Sequence, residues 1–351
     1  MAVVIEVLEG STGTTVQDAG RPGYRSYGVA LSGALDPLGL ACANALAGNR
    51  ADAAALEMRL QGPHLRVVGG CLRVALAGPA EASVRRVEGR VLALPAWHSI
   101  TLEDGDTLKA GVIRGGVAYL AVAGGIDTPP QLGSRATHLR AQIGGVEGRA
   151  LRAGDRIDTG DRDGTQDGEC RQAAFVHEGG PLRLMLGPQE NHFTPDALRT
   201  LIDADFVVSR DADRMGIRLK GPQLAHNAAA GEEIVSDCVA PGALQVPPDG
   251  QPILLLADCQ TVGGYPKIAT VIRADLPRLA HLLPGDRLRF ALVTRAQALS
   301  ALREQRAKLE SWLAGIAPYR PAGDIDEAAL YSVNLISGIL FDNGFGKGDE
   351  E

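Results

Sequence analysis

Residues 261–272 read TVGGYPKIATVI: a glycine pair, a tyrosine, a proline and a lysine ahead of an apolar run rich in β-branched residues. Two folds are at stake in this stretch. A glycine pair beside a lysine raises the possibility of a phosphate loop, which follows a strand and puts its Gly-Lys-Ser/Thr at the start of a helix. Here proline precedes Lys267, and Ile268, Thr270, Val271 and Ile272 give the composition of a strand. The stretch therefore reads as a glycine turn that launches a β-strand. Lysine is scarce in this chain, five against thirty arginines, so its placement here asks for a reason. One reading is a partly desolvated ammonium that needs an anion or an aspartate such as Asp258. The other is a lysine at a strand start whose ammonium reaches water.

Working outward, short β-type runs recur between turn signals: VVIEVL (3–8), LRVVGGCLRVAL (65–76), RVLAL (90–94), VAYLAVAG (117–124), PLRLML (181–186), DFVVS (205–209), PILLLA (252–257) and RLRFALV (287–293). Helical stretches are few. Residues 36–48 carry an Asp cap, proline in the first turn and glycine at the end. Residues 195–203 and 275–283 predict short helices, and 295–314 the longest one. The pattern predicts a mainly β fold with a few short helices.

A polar segment, TGDRDGTQDGECRQ (159–172), is nearly free of large apolar residues and reads as a linker. It suggests a first domain over 1–160, a linker over 161–175, a second domain over 176–320 and a tail over 321–351. Phrases echo across it. RLQGPHL (59–65) resembles RLKGPQL (218–224), and Gly-Asp-x-Leu/Ile recurs at 105–108, 154–157 and 285–288. Chance and tandem β-barrel-like domains both account for such echoes in a glycine-rich chain; the linker favours the second.

At 351 residues each half is large enough to bury its own core. A net charge of −7 without a basic stripe argues against nucleic acid and anionic membranes as partners. No apolar run reaches the ~18 residues that a membrane helix needs. The opening MAVVIEVLEG reads as a first strand rather than a signal peptide. Five dispersed cysteines without a CxxC pair suggest reduced thiols and a cytoplasmic protein. Seven histidines without HxH or HExxH spacing give no support to a metal site.

Four glycine-rich segments hold polar residues in the manner of loops that line a site. The first, 16–36, carries Asp18, Arg21, Arg25, Ser32 and Asp36. It is either a structural crossing with paired charges or a binding loop, and Asp36 is also a plain helix start. The second, 121–140, offers a Gly124-Gly125 pair with Ser134 and Arg135 as donors to an anion. The third joins 187–194 to 209–219 and brings Glu190, Asp213 and Arg214. The fourth, 242–272, holds Gln245, Asp258, Gln260 and Lys267, with Gly264 and Tyr265 in its turn. Machinery for independent chemistry is missing. There is no GxSxG elbow, no Gly-Ser-Ser-Gly amidase signature, no Ala-Met-Lys-Met biotinylation site, and no Rossmann or Walker fingerprint. The chain reads as one part of a larger multi-chain system, with no biotin of its own.

The four segments together resemble the biotin-dependent carboxyltransferase family, also described as allophanate hydrolase subunit 2 or KipA-like. The phrases that carry the resemblance are VQDAGRPGY, LSGALD, NALAGN, YLAVAGGID, GSRATHLR and GGVEGRALRAGD, then DRMGIRLKGPQLAH, PGALQVPPDGQPILLLAD and GGYPKIATV. They span about residues 3–315. The chain departs from the family at Cys259, where arginine is frequent, and over 235–238. The resemblance implies two tandem cyclophilin-like β-barrel domains, with loops 16–36 and 121–140 facing the GGYPK and DRMG segments across a cleft.

Bacterial members of this family are mostly read as the C subunit of an ATP-dependent 5-oxoprolinase. The resemblance therefore implies ATP as cosubstrate and 5-oxoprolinase subunits A and B as partners, with the KipI-like B subunit closest. A carboxyltransferase of a urea carboxylase and a KipA-like regulator are the alternatives. On residue chemistry, Lys267, Asp36 and Asp258 are the catalytic candidates. Asp36 or Asp258 would orient water or hold Lys267 charged. Arg135, Arg214, Gln245, Gly264, Tyr265 and Ser32 are the substrate-binding candidates.

Overall fold

Lys267–Val271 is a β-strand, and the glycine turn before it carries a two-residue strand, Val262–Gly263, paired with Asp237–Cys238. A computed structural model describes residues 3–161 and 169–319 of the chain; the proposed tail and residues 162–168 of the proposed linker lie outside them. The Lys267 strand sits inside an eight-stranded sheet, between Ala243–Gln245 and Leu182–Leu186. The two edge strands of that sheet, Arg287–Leu288 and Phe290–Leu292, are separated only by Arg289. That short connection bends the sheet into a nearly closed barrel, which leaves little free edge.

The first half builds two further sheets. One has six strands, in the order Arg156–Asp158, Val4–Glu9, His64–Val68, Thr107–Ala110, Ala82–Arg85 and Val91–Leu94. The other has seven: Thr14–Gln17, Ala55–Met58, Ala118–Val122, Leu72–Ala77, His98–Leu102, Glu169–Arg171 and Ala317–Tyr319. Its last two strands come from outside the first half proper. Residues 169–171, inside the proposed linker, and 317–319, after the longest helix, both join this first-half sheet.

Alternation decides how the layers pack. Leu72, Val74 and Leu76, with Leu120 and Val122, face Ile5, Val7, Leu65 and Val67 of the six-stranded sheet. The intervening Ala75, Ala77, Tyr119 and Ala121 face the opposite core, where helix α1 (Pro37–Ala47) lies with barrel residues such as Phe206, Leu254 and Ile268. Alanines on that face let the helix approach closely. Helix α1 is apolar nearly all round, as a helix buried between layers must be. Among the described residues the remaining helices are α2 (Pro195–Asp203), α3 (Leu276–Leu279, preceded by a 3-10 turn) and α4 (Arg295–Ala314). The fold is mainly β with few helices, and α3 is shorter than the 275–283 expected because the chain tightens into 3-10 turns around Pro277.

The Gly-Asp echo has a structural content. Gly105, Gly154 and Gly285 all adopt left-handed backbone, with φ of +86°, +88° and +96°. Each donates its N–H to a valine carbonyl, of Val67, Val7 and Val208 respectively, and each of those valines donates back to the carbonyl of the following aspartate. Each aspartate carboxylate, of Asp106, Asp155 and Asp286, accepts the N–H three residues earlier at 2.8 Å. One turn, made the same way in both halves, brackets three strands.

Candidate functional site

The loop after strand Thr14–Gln17 is anchored before it reaches the site. Asp18 Oδ1 accepts from Gly20 N at 2.8 Å and Ser134 Oγ at 2.6 Å, and Oδ2 accepts from Arg135 N at 2.6 Å. Gly20 and Gly33, both at positive φ, cross so closely that a Cβ on Gly33 would stand 2.6 Å from Gly20 N. Only glycine allows that approach. The crossing delivers Ser32 to the barrel, where its N–H donates to Ala257 O at 3.0 Å. Ser32 itself sits at φ +54°, unusual for a residue with a side chain.

Arg214 occupies the centre of what this loop covers. Its Nε donates to Asp258 Oδ2 at 2.8 Å and its Nη2 to Asp258 Oδ1 at 3.2 Å and to Gly33 O at 2.6 Å. Its Nη1 donates to Glu57 Oε1. Burial alone would lower the guanidinium pKa, but the flanking carboxylates of Glu57 and Asp258 outweigh it and raise it. Glu57 Oε2 in turn accepts from Tyr119 Oη at 2.7 Å and Leu35 N at 2.8 Å, and Asp36 N donates to Tyr119 Oη at 2.9 Å. Burial and the Glu57 charge push the Tyr119 phenol well above its ordinary range. A continuous polar chain thus runs from Asp258 through Arg214, Glu57 and Tyr119 to the start of α1.

A second group lies beside it. Lys267 is buried, at 4% exposure, and its ammonium donates to Asp237 Oδ2 at 2.7 Å and Cys238 O at 2.9 Å. Asp237 is held below the usual carboxylate range, chiefly by that bond. Gln245, opposite Lys267 in the sheet, donates to Tyr265 O at 3.3 Å and accepts from Gln260 Nε2 at 3.3 Å. Gly264 O accepts from Ile234 N. Arg25 ties this group to loop 16–36, with Nη2 donating to Val239 O at 2.5 Å and Gln260 O at 3.0 Å. Residues 258–260 join the two groups, since Asp258 belongs to the first and Gln260 to the second.

The candidate residues therefore fall unevenly. Ser32, Arg214 and Asp258 converge; Gln245, Gly264, Tyr265 and Lys267 converge next to them. Arg135 lies apart, pairing with Asp127. Asp36 also lies apart: its Oδ1 caps α1, accepting from Leu38 N and Gly39 N, and its Oδ2 faces His177 and His281. Contrary to the expectation from sequence, neither Asp36 nor Asp258 holds Lys267 charged. Asp258 is taken by Arg214, and the lysine's carboxylate is Asp237, in the 235–238 segment. Sequence reasoning also passes over Glu57, Tyr119, Asp237, His177 and His281. Glu57 carries one signal, an acid inside the apolar strand ALEM.

Several buried donors around loop 16–36 have no hydrogen-bond partner among the described residues: Arg21 Nε and Nη1, Arg25 Nη1, Arg135 Nε and the Ser32 hydroxyl. Arg21 is wholly buried, and burial lowers its pKa, against the pull of Asp18 and Asp258. Such groups are costly to leave unmet, and their chemistry suits an anionic or carbonyl-bearing ligand. No described helix is long and apolar enough to cross a membrane.

The chain is 36% identical over 318 residues to the C subunit of 5-oxoprolinase from Escherichia coli K12, covering 88% of this chain and 97% of that one. It is 33% identical over 316 residues to the C subunit of 5-oxoprolinase from Haemophilus influenzae, with the same coverage. Among solved structures, the urea amidolyase of K. lactis superposes with a TM-score of 0.77 at 26% identity, over 88% of this chain and 20% of that one. Residues 27–292 match the family described as carboxyltransferase domain, subdomain A and B, and the chain belongs to that family.

Proposed function

We propose that this chain is the C subunit of a cytoplasmic ATP-dependent 5-oxoprolinase, which opens 5-oxoproline to L-glutamate together with subunits A and B. The observation that carries the reading is sequence identity. The chain is 36% identical to the E. coli C subunit across 97% of that protein, against 26% identity to the K. lactis urea amidolyase. The site chemistry supports it. Opening a lactam requires an activated carbonyl, because an amide is a poor electrophile toward water. Phosphoryl transfer from ATP to the lactam oxygen supplies that activation. Water then attacks the ring carbon and the C–N bond breaks, leaving an acyl phosphate that water hydrolyses to glutamate and phosphate.

In this reading Lys267 supplies a fixed cation to the anionic substrate or the transferred phosphoryl group. Arg21, Arg25 and the Ser32 hydroxyl offer further donors, and Arg214 holds loop 16–36 against the barrel. Gln245 orients the Tyr265 turn. The test is reconstitution: the chain with its A and B partners, ATP and 5-oxoproline, assayed for glutamate and ADP. Glutamate formed only when all three chains and ATP are present is the expected result. Its absence from an assembled complex overturns the reading.

The likeness to the K. lactis urea amidolyase favours one second reading, transfer of a carboxyl group from carboxybiotin on another chain to a urea-like amide. Carboxylated urea formed with a biotin carboxylase and carrier, in place of glutamate from 5-oxoproline, would establish it.

A further inference from the structure

Asp36, His177 and His281 meet from three distant points of the chain, the cap of α1, the segment after strand Glu169–Arg171 and the turn after α3. Asp36 divides its carboxylate between two tasks. Oδ1 accepts from Leu38 N at 3.0 Å and Gly39 N at 3.1 Å. Oδ2 stands 2.9 Å from Nε2 of His177 and 2.9 Å from Nε2 of His281. The other ring nitrogen of His281, Nδ1, lies 3.2 Å from the carbonyl oxygen of Gly115. A carbonyl only accepts, so Nδ1 carries the hydrogen, and a neutral ring then points its Nε2 lone pair at the carboxylate. Two acceptors facing each other at that distance require a proton or a cation between them.

The three ligand atoms, two imidazole nitrogens and one carboxylate oxygen, all lie within 4.8 Å of one another. That is a donor set for a divalent transition metal of the zinc class. We propose that Asp36, His177 and His281 form a binding site for such an ion. Metal–ligand distances of ~2.0–2.2 Å in a tetrahedral site put neighbouring ligands roughly 3.3 Å apart, so the two 2.9 Å contacts need open by only about 0.4 Å. The surroundings are those of a held ligand shell. The backbone amides of α1 fix Asp36, and the Gly115 carbonyl fixes the tautomer and tilt of His281.

Three protein ligands leave a fourth position. Both histidines line a cavity of about 590 Å³ bordered by Leu182, Asp205, Arg278 and Arg287, which gives the ion a way in and the fourth position access to a small ligand. Asp36 is buried while the two histidines are partly exposed toward this cavity. The site is separate from the Lys267 group and does not depend on the 5-oxoprolinase reading.

The test uses the full chain, stripped with EDTA and dialysed, then titrated with Zn²⁺ by calorimetry and with Co²⁺ by visible absorption. One ion per chain is expected, with Co²⁺ giving the intense bands of a four- or five-coordinate site. A His177→Gln/His281→Gln double variant is expected to lose affinity by more than the roughly 10–100-fold that an outer-shell partner is worth. If the double variant misfolds, His281→Gln alone serves, read by loss of the Co²⁺ bands. Absence of those bands in the parent protein, or Zn²⁺ affinity unchanged in the folded variant, overturns the site and leaves a charged His-Asp-His cluster instead.

Discussion

The Arg214 guanidinium lies edge-on to the Asp258 carboxylate, with Nε–Oδ2 at 2.8 Å and Nη2–Oδ1 at 3.2 Å, and both side chains are buried. Its remaining terminal nitrogen reaches Glu57, 157 positions away in the chain. One cation therefore compensates two buried carboxylates and also holds the loop carbonyl of Gly33. Removing it would strand both acids. Arg214→Ala is expected to destabilise the protein by about 3–5 kcal/mol, read as a lowered urea midpoint. A replacement with lysine should recover little, because an ammonium cannot meet two carboxylates and a carbonyl in the planar fork that Arg214 uses. Stability within about 1 kcal/mol of the parent, on the order of an exposed ion pair, would show that the cluster carries no such burden.

Ser32 separates strain from function. Its left-handed backbone costs roughly 1–2 kcal/mol for a residue with a Cβ, and glycine removes that cost while adding about 0.5–1 kcal/mol of unfolded-state freedom. Ser32→Gly is thus expected to leave thermal stability unchanged or to raise it by up to about 1.5 kcal/mol. Turnover by the reconstituted complex should fall, because the hydroxyl, buried and without a protein partner among the described residues, is then gone. Undiminished turnover would assign Ser32 to the loop's geometry alone.

What is legible in the sequence and what is hidden follow the range of the interactions. Asp36, Pro37 and Gly48 mark the ends of α1 because capping is decided within one turn. Thr294 and Gln297 close α4 with a capping box in the same local way. Lys267–Val271 is legible as a strand because composition and the preceding proline act at short range. Partner choice is another matter. Lys267 finds Asp237 thirty positions away, and Asp36 finds His177 and His281 at separations of 141 and 245. No spacing rule sees such pairs; they exist because the barrel and α1 pack as they do. The 169–171 strand is hidden for a related reason, since a polar segment can pair its backbone with a sheet edge without contributing a hydrophobic face.

Lys267 can be tested against its partner. Under the proposed function, Lys267→Ala should lower glutamate formation by roughly 10²–10³-fold, the scale of one positioned electrostatic donor, while the complex still assembles. Lys267→Arg should not rescue it, because Asp237 Oδ2 and Cys238 O close around a compact ammonium. Asp237→Asn should be milder, since Asp237 is half-exposed and the Cys238 carbonyl remains. Parent-like turnover in Lys267→Ala would make the lysine a structural residue whose work is to hold the 235–238 segment.

The acid limb of stability should report on the Gly-Asp turns, and Asp155 is the member to use. Its burial would raise the carboxyl pKa, but the Arg149 ion pair, at 2.7 and 2.8 Å, and the Arg152 N–H outweigh burial and lower it. A depressed carboxyl contributes stability that is present above its unfolded pKa of about 3.9 and is lost as pH falls through the folded value. Asp155→Asn keeps the shape and removes the charge. It is expected to cost about 1.5–3 kcal/mol at pH 7, the range for hydrogen bonds to a charged group. Because that cost is the lost charge, the difference between parent and variant should shrink below about pH 4, as the parent's own carboxyl becomes protonated. Urea denaturation at several pH values between about 3 and 7 checks both. A difference that stays constant across that range would mean that the turn is held by the shape of Asp155 and not by its ionisation.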